Sequence, residues 1–232
     1  MTAEMPRQLP LRLPHRPAMS RADFLVGEAN NAALSQVERW PDWHAPAMVL
    51  HGPSGTGKSH LVEIWRALSG ATVTTAAELG MADHERLLAP RAVAVEAIDV
   101  GADEPALFHL LNLARERGAT VLMTSRAAPA ALPLALPDLL SRLRAAQPIE
   151  LLPPDDVLLK RVLLKLFADR QLSIDSPLIE FMALRMERSF EAANVLVEKL
   201  DHEALAAGRR VTRALAGSVL GELFPDSGDS EN

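Results

Sequence analysis

The chain has 232 residues, 48% of them hydrophobic and 23% charged, enough for one large domain or a medium domain plus a small one with a buried core. It contains no cysteine, which excludes disulfides, thiolate zinc sites and cysteine nucleophiles and suits a reducing cytosol. The net charge of −6 argues against a surface built for duplex DNA, and no apolar run approaches the roughly 20 residues that a bilayer span needs.

Residues 1–18 carry Pro6, Pro10, Pro14 and Pro17 with no sustained period, and they read as a flexible arm. The arm lacks the apolar core of a signal peptide, so a cytoplasmic location is expected. Residues 19–153 read as an α/β domain. A helix is predicted over 30–39, closed by Pro41, and a strand over 47–51 runs into a Gly-rich loop and then a helix over 59–67. Further strands are predicted over 71–75, 92–98, 120–125 and 148–152. Between the third and fourth strands, Pro105 opens a helix whose apolar side is Leu107, Phe108, Leu110, Leu111 and Leu113, and Gly118 closes it. This alternation predicts a central parallel sheet covered on both faces. After Pro153-Pro154 the pattern changes to helices over 155–170, 176–186, 189–207 and 210–223. A small all-helical domain over 154–224 is therefore expected, with a polar, disordered tail over 225–232.

Gly52-Pro53-Ser54-Gly55-Thr56-Gly57-Lys58-Ser59 matches G-x-x-x-x-G-K-[ST] in full, and it sits between a strand and a helix as the motif requires. Its glycines let backbone N–H groups turn toward phosphate oxygens beside a helix N-terminus. Lys58 is expected to reach the β and γ phosphates, and the Ser59 hydroxyl to ligate Mg²⁺. The motif leaves open whether ADP or ATP is held, and whether as fuel, substrate or signal. Hydrolysing enzymes of this architecture usually end a neighbouring strand in two acids, the first supporting magnesium and the second orienting water. Here Glu96 can take the magnesium side, but the next residue is Ala97, whose methyl group cannot polarise water. Asp99 would have to be bent back into the site, and both acids could instead be plain strand-end surface groups. Nucleotide binding with poor unaided hydrolysis is the expectation. Arg142 and Arg188 are candidates to meet phosphate charge, in this chain or a neighbouring one, against the alternative of ordinary solvated arginines.

Over residues 19–223 these features resemble the AAA+ ATPase domain of the bacterial replication-initiator (DnaA) clade. The segment Phe24-Leu25-Val26-Gly27-Glu28-Ala29-Asn30 is similar to the stretch that holds adenine there, which implies Phe24, Val26 and Gly27 as base contacts. Gly57-Lys58-Ser59-His60-Leu61 is similar to its phosphate loop. Ser141-Arg142-Leu143 resembles its arginine-finger box, Arg188 falls at the second sensor arginine of the lid, and Thr124 or Ser125 stands where the first sensor belongs. Arg126 follows, where the initiators commonly have an acid. The degenerate Val95-Glu96-Ala97, with no helix-turn-helix pattern after the lid, resembles Hda-type regulatory homologues of the initiator. The arm agrees: Gln8-Leu9-Pro10-Leu11-Arg12-Leu13 looks like their sliding-clamp peptide, with Gln8, Leu9, Leu11 and Leu13 as contacts. The resemblance implies a clamp-tethered regulator, bound to ADP or ATP with Mg, that presents Arg142 to the initiator's ATP. Self-association is left open, and neither a membrane nor a duplex-DNA-binding domain is implied. The rivals are an autonomous ATPase or loader, a P-loop kinase of a small metabolite, and a nucleotide-independent adaptor.

Overall fold

The computed structural model describes residues 19–225. Strands β1 (Ala47–His51), β2 (Thr72–Thr75), β3 (Ala92–Glu96), β4 (Thr120–Ser125) and β5 (Gln147–Glu150) form one sheet in the order β2-β3-β4-β1-β5. Every pairing is parallel, and β1 lies between β4 and β5 with His51 opposite both Ser125 and Glu150. Parallel strands covered on both faces read as near-continuous apolar runs. Met48, Val49 and Leu50 of β1 are accordingly fully buried, as are Ala92 to Val95 of β3. Pro148 stands in β5, at the sheet edge, where a residue without an N–H is tolerated.

Alternate side chains of these strands feed two cores. Val49, Val93, Val95, Val121 and Met123 pack against α4 (Glu104–Glu116) and α5 (Pro137–Ala145) through Leu107, Leu110, Leu139 and Leu143. Met48, Leu50, Ala94 and Leu122 pack against α1 (Glu28–Glu38) and α2 (Lys58–Ser69) through Leu34, Val37, Leu61, Ile64 and Trp65. A short α3 (His84–Leu87) lies between β2 and β3. The result is a three-layer sandwich whose phosphate-loop helix α2 is on the opposite face from α5.

Helices α6 (Asp156–Asp169), α7 (Ser176–Ala183), α8 (Phe190–Ala207) and α9 (Arg213–Leu223) follow. They bury a separate core of Leu159, Leu163, Phe167, Ile179, Met182, Leu196, Val197, Leu200 and Val219. Each opens on a side-chain cap that accepts from the first-turn backbone: Asp155, Asp175, Ser189 and Thr212.

The predicted strands and helices are present with shifted ends. β3 stops at Glu96 because Ala97 adopts a left-handed backbone (φ 56°) that cannot continue an extended run. The sequence reading missed α5, although Leu139 and Leu143 lie one turn apart after Pro137 at the helix start. The clamp-peptide residues Gln8, Leu9, Leu11 and Leu13, and the tail from 226, lie outside the described residues. No helix among the described residues is long and apolar enough to cross a membrane.

Candidate functional site

The loop after β1 lies at the C-terminal edge of the sheet, where open parallel sheets bind their ligands. Gly52 N–H donates to the Ser125 carbonyl (3.3 Å), which pins the loop to the end of β4. Gly52 has φ 149°, and a Cβ there would overlap the Leu151 carbonyl oxygen. Thr56 is fully buried and its hydroxyl donates to Pro53 O (2.9 Å), closing the turn from inside. Gly57, in left-handed conformation, is the N-cap of α2, so Lys58 and Ser59 begin the helix. Lys58 folds back over the loop and its Nζ donates to Gly52 O and Pro53 O, each at 2.6 Å. Burial holds the Lys58 pKa below the ordinary lysine value, and the Arg126 charge lowers it further; Asp99 and Glu191 oppose both.

The lid meets the loop directly. Phe190 N–H donates to Gly55 O (2.7 Å), and Ser54 Oγ donates to the Glu191 carboxylate (3.0 Å). Gly55 has φ 69°, and a Cβ there would come within 2.7 Å of Ser189 Cβ. Only glycine lets the loop and α8 approach this closely.

A cavity of about 750 Å³ opens between the loop, the segment before α1 and the lid, within the usual size of small-molecule sites. Ser54, Gly55, Gly57, Lys58, Ser59 and His60 form its polar side, with Phe24, Leu25, Val162 and Leu166 as its apolar wall. Phe24 meets the His60 ring edge to face, with centroids 5.0 Å apart. Asn30 braces this segment, accepting from Gly27 N–H (2.9 Å) and donating to Leu25 O (3.0 Å). Val26 O accepts from Arg161 of α6 (2.9 Å), and Gly27 sits against the Leu158 side chain. Lys165 of α6 pairs with Asp23 (2.9 Å) and Asp169 (2.7 Å). The hydrogen bond from Ser20 is the main cause holding the Asp23 carboxyl below its ordinary value, with Lys165 next.

The cavity thus gathers Phe24, Ser54, Gly55, Gly57, Lys58, Ser59 and His60; Val26, Gly27, Gly52 and Thr56 belong to the same two segments but do not line it. It does not gather Arg188. That residue precedes the Ser189 cap, and its guanidinium pairs with Asp156 at the start of α6 (2.8 Å). Glu191 is the lid side chain that hydrogen-bonds the phosphate loop, a residue not singled out in the sequence; a Ser cap followed two residues later by an acid was its available signal. Glu96 ends β3 half-buried, outside the cavity lining. Ala97 is not the next extended residue. Its N–H donates to Thr124 Oγ1 (2.9 Å), and the left-handed turn it makes carries Asp99 back within electrostatic reach of Lys58. Ser125 Oγ donates to Ala127 O (2.6 Å), whereas Thr124 Oγ1 braces Ala97. Arg142 lies half-buried on α5, in the opposite layer, and among the described residues it pairs with no acid.

These groups could hold a nucleoside di- or triphosphate. The loop presents N–H groups and an ammonium to the phosphates, and the apolar wall suits a base. Among the described residues no three His, Asp or Glu side chains cluster to hold a metal unaided. Magnesium, which keeps waters and phosphate oxygens as ligands, needs only Ser59 and one carboxylate here.

No known family profile matches the chain. An uncharacterized protein of Haemophilus influenzae is 25% identical over 230 residues, covering 93% of this chain and 99% of that protein. Among solved structures, domain III of the Thermotoga maritima replication initiation protein DnaA matches with a TM-score of 0.77 at 18% identity, over 90% of this chain and 98% of that one. AMPPCP-bound DnaA from Aquifex aeolicus matches at 0.68 with 16% identity, over 82% and 67% of the two chains. The RuvB Holliday junction branch migration motor of Thermotoga maritima matches at 0.69 with 18% identity, over 90% and 74%. At these identities the likeness is one of architecture. The five-stranded parallel sheet, its phosphate loop and the helices that follow make this chain an α/β protein with the fold of AAA+ ATPase domains.

Proposed function

We propose that this chain is a nucleotide-binding AAA+ regulator that acts on the replication initiator DnaA, inactivating it by stimulating its ATP hydrolysis. The cavity carries the reading: a complete phosphate loop faces an apolar wall, and a helical lid rests on the loop itself. ADP or ATP would bind with its phosphates on the loop N–H groups and Lys58. Ser59 and Glu96 would hold a magnesium ion, whose chemistry is to neutralise phosphate charge.

The role in trans rests on two further features. Position 97, where a water-orienting acid is usual, is an alanine in a left-handed turn, so resident ATP lacks a base. Arg142 is on the layer opposite α2, apart from this chain's own phosphate loop, which supports a role toward a nucleotide held by another molecule. The arm residues Gln8, Leu9, Leu11 and Leu13 would tether the protein to the sliding clamp in this reading.

Titration of the full chain with ADP and ATP, followed by capture on immobilised clamp and initiator with and without ADP, tests the proposal. It expects nucleotide binding and retention on both partners. Binding to neither nucleotide, or retention on neither partner, would refute it. A second reading, an autonomous ATPase, draws on Asp99, the acid that the Ala97 turn brings toward Lys58. Turnover by the isolated protein near the median enzyme rate of about 10 s⁻¹ would favour it. Negligible turnover is expected.

A further inference from the structure

The lid has a cavity of its own at the end away from the phosphate loop. Helix α8 starts on the loop and runs 18 residues, about 27 Å at a 1.5 Å rise, to Gly208. The chain then turns through Arg209, Arg210 and Val211 into α9, beside the turn that enters α7. A cavity of about 540 Å³ lies between the two turns. Ile174, Pro177, Leu178 and Val211 give it an apolar lining, and Arg210 and Arg213 stand on its polar side.

Arg213 leads from the cavity to Phe181, which is partly buried against the lid core. The guanidinium carbons of Arg185 and Arg213 stand 4.2 and 4.5 Å from the centroid of this one ring. They are therefore at most about 9 Å apart, inside the roughly 10 Å over which charges act in 0.1 M salt, and they repel. The ring face holds both cations and leaves N–H groups to other acceptors; Arg185 Nη1 donates to Phe181 O (3.3 Å). Arg185, Arg209, Arg210 and Arg213 are all exposed, and among the described residues none pairs with an acid. The acids in α7, α9 and the turns that lead into them do not neutralise the group. Asp175 Oδ1 accepts from Leu178 N–H (3.0 Å), Glu222 pairs with Lys199, and Glu180 stands exposed.

We propose that this end of the lid docks an acidic peptide segment of a partner protein, its carboxylates on Arg185, Arg209, Arg210 and Arg213 and an apolar side chain in the cavity. An anion relieves the repulsion between arginines that the chain leaves unneutralised, and guanidinium forks match carboxylates in pairs. Nucleic acid fits less well. The net charge of −6 repels a polyanion, and a phosphate backbone has nothing to place in a recessed apolar cavity. A peptide supplies both halves, charge for the rim and an apolar anchor for the pocket. The site is separate from the nucleotide cavity and does not depend on it.

The experiment is fluorescence anisotropy of the full chain with dye-carrying probes: a short oligoglutamate peptide with one central leucine, the same peptide with serine in that place, and a single-stranded DNA oligonucleotide of equal charge. The leucine peptide should bind, with an affinity that falls as salt rises. The double variants are Arg210→Gln/Arg213→Gln and Arg209→Gln/Arg210→Gln, the second confined to the turn between the helices. Each should weaken that binding at least about tenfold through lost charge-assisted bonds, with Tm unchanged. The serine peptide and the oligonucleotide should bind more weakly than the leucine peptide. No binding of the leucine peptide, undiminished binding by both double variants, or equal or tighter binding of either other probe would overturn the site. So would tighter binding of the leucine peptide by a chain ending at Pro225, because the occupant would then be the chain's own acidic residues 226–232.

Discussion

Lys58 has two jobs that pull in different directions. Folded back, it satisfies the Gly52 and Pro53 carbonyls of its own loop; to meet a nucleotide it must give those bonds up for phosphate oxygens. The exchange favours the phosphates because a partly buried ammonium, its charged form already disfavoured by desolvation, gains most from a full negative charge. Lys58→Ala should therefore weaken ADP and ATP binding at least tenfold, about 1.4 kcal/mol, in a direct titration. Unchanged affinity would remove the loop from the account. Glu191 and Asp99 oppose any incoming phosphate, and both were harder to see in the sequence than Lys58. The lysine belongs to a contiguous motif, whereas each acid reaches the loop only through a turn or a cap that tertiary contacts enforce.

The contact between the phosphate loop and the first turn of α8 is the joint on which the lid rests. Gly55→Ala would force a left-handed alanine, costing about 1–2 kcal/mol, and would push its methyl group into Ser189. A thermal melt should show a loss of at least about 2–4 °C per kcal/mol, together with weaker nucleotide binding. A variant with unaltered melting would mean that the lid does not depend on this approach. A second joint, Asp23 with Lys165, ties the segment before α1 to α6. The folded-state pKa of Asp23 lies below its unfolded value of 3.8, so its contribution is present above that value and is lost as pH falls through the folded one. The Tm deficit of Asp23→Asn should accordingly be present at neutral pH and shrink from about pH 5 downward. A deficit that stays constant in acid would contradict the pairing. At this level most of the architecture was legible. Apolar runs gave the strands, and Pro41, Pro105 and Gly118 marked helix ends. α5 was missed because its nine residues carry only the Leu139–Leu143 pair as an apolar stripe. Arg188, expected to approach a nucleotide from the lid, pairs instead with Asp156, a partner that lies 32 positions away and that its own sequence neighbourhood does not show. The turn at Ala97 could not be read at all, since alanine is not a residue that announces a left-handed backbone.

The molecule has its phosphate-loop cavity at the C-terminal edge of the sheet, on the side of α2, and on the opposite layer a half-buried arginine that pairs with no acid among the described residues. In the proposed function, one side of the protein would bind a nucleotide that shapes it, and the other would offer a cation to a second nucleotide held by a partner. An arginine supplied to a partner's phosphates acts on charge that grows in the transition state, so its loss should fall on rate rather than on association. The most direct measurement is the rate of ATP hydrolysis by the initiator in a mixture with DNA-loaded clamp and this protein, wild type against Arg142→Ala. The account predicts stimulation by the wild type and its loss in the variant, toward the 10³-fold or larger effect typical of such arginines, with nucleotide binding and clamp capture retained. Arg142→Lys should be nearly as defective, because an ammonium cannot reproduce the planar fork. Full stimulation by Arg142→Ala, or none by the wild type, would contradict it.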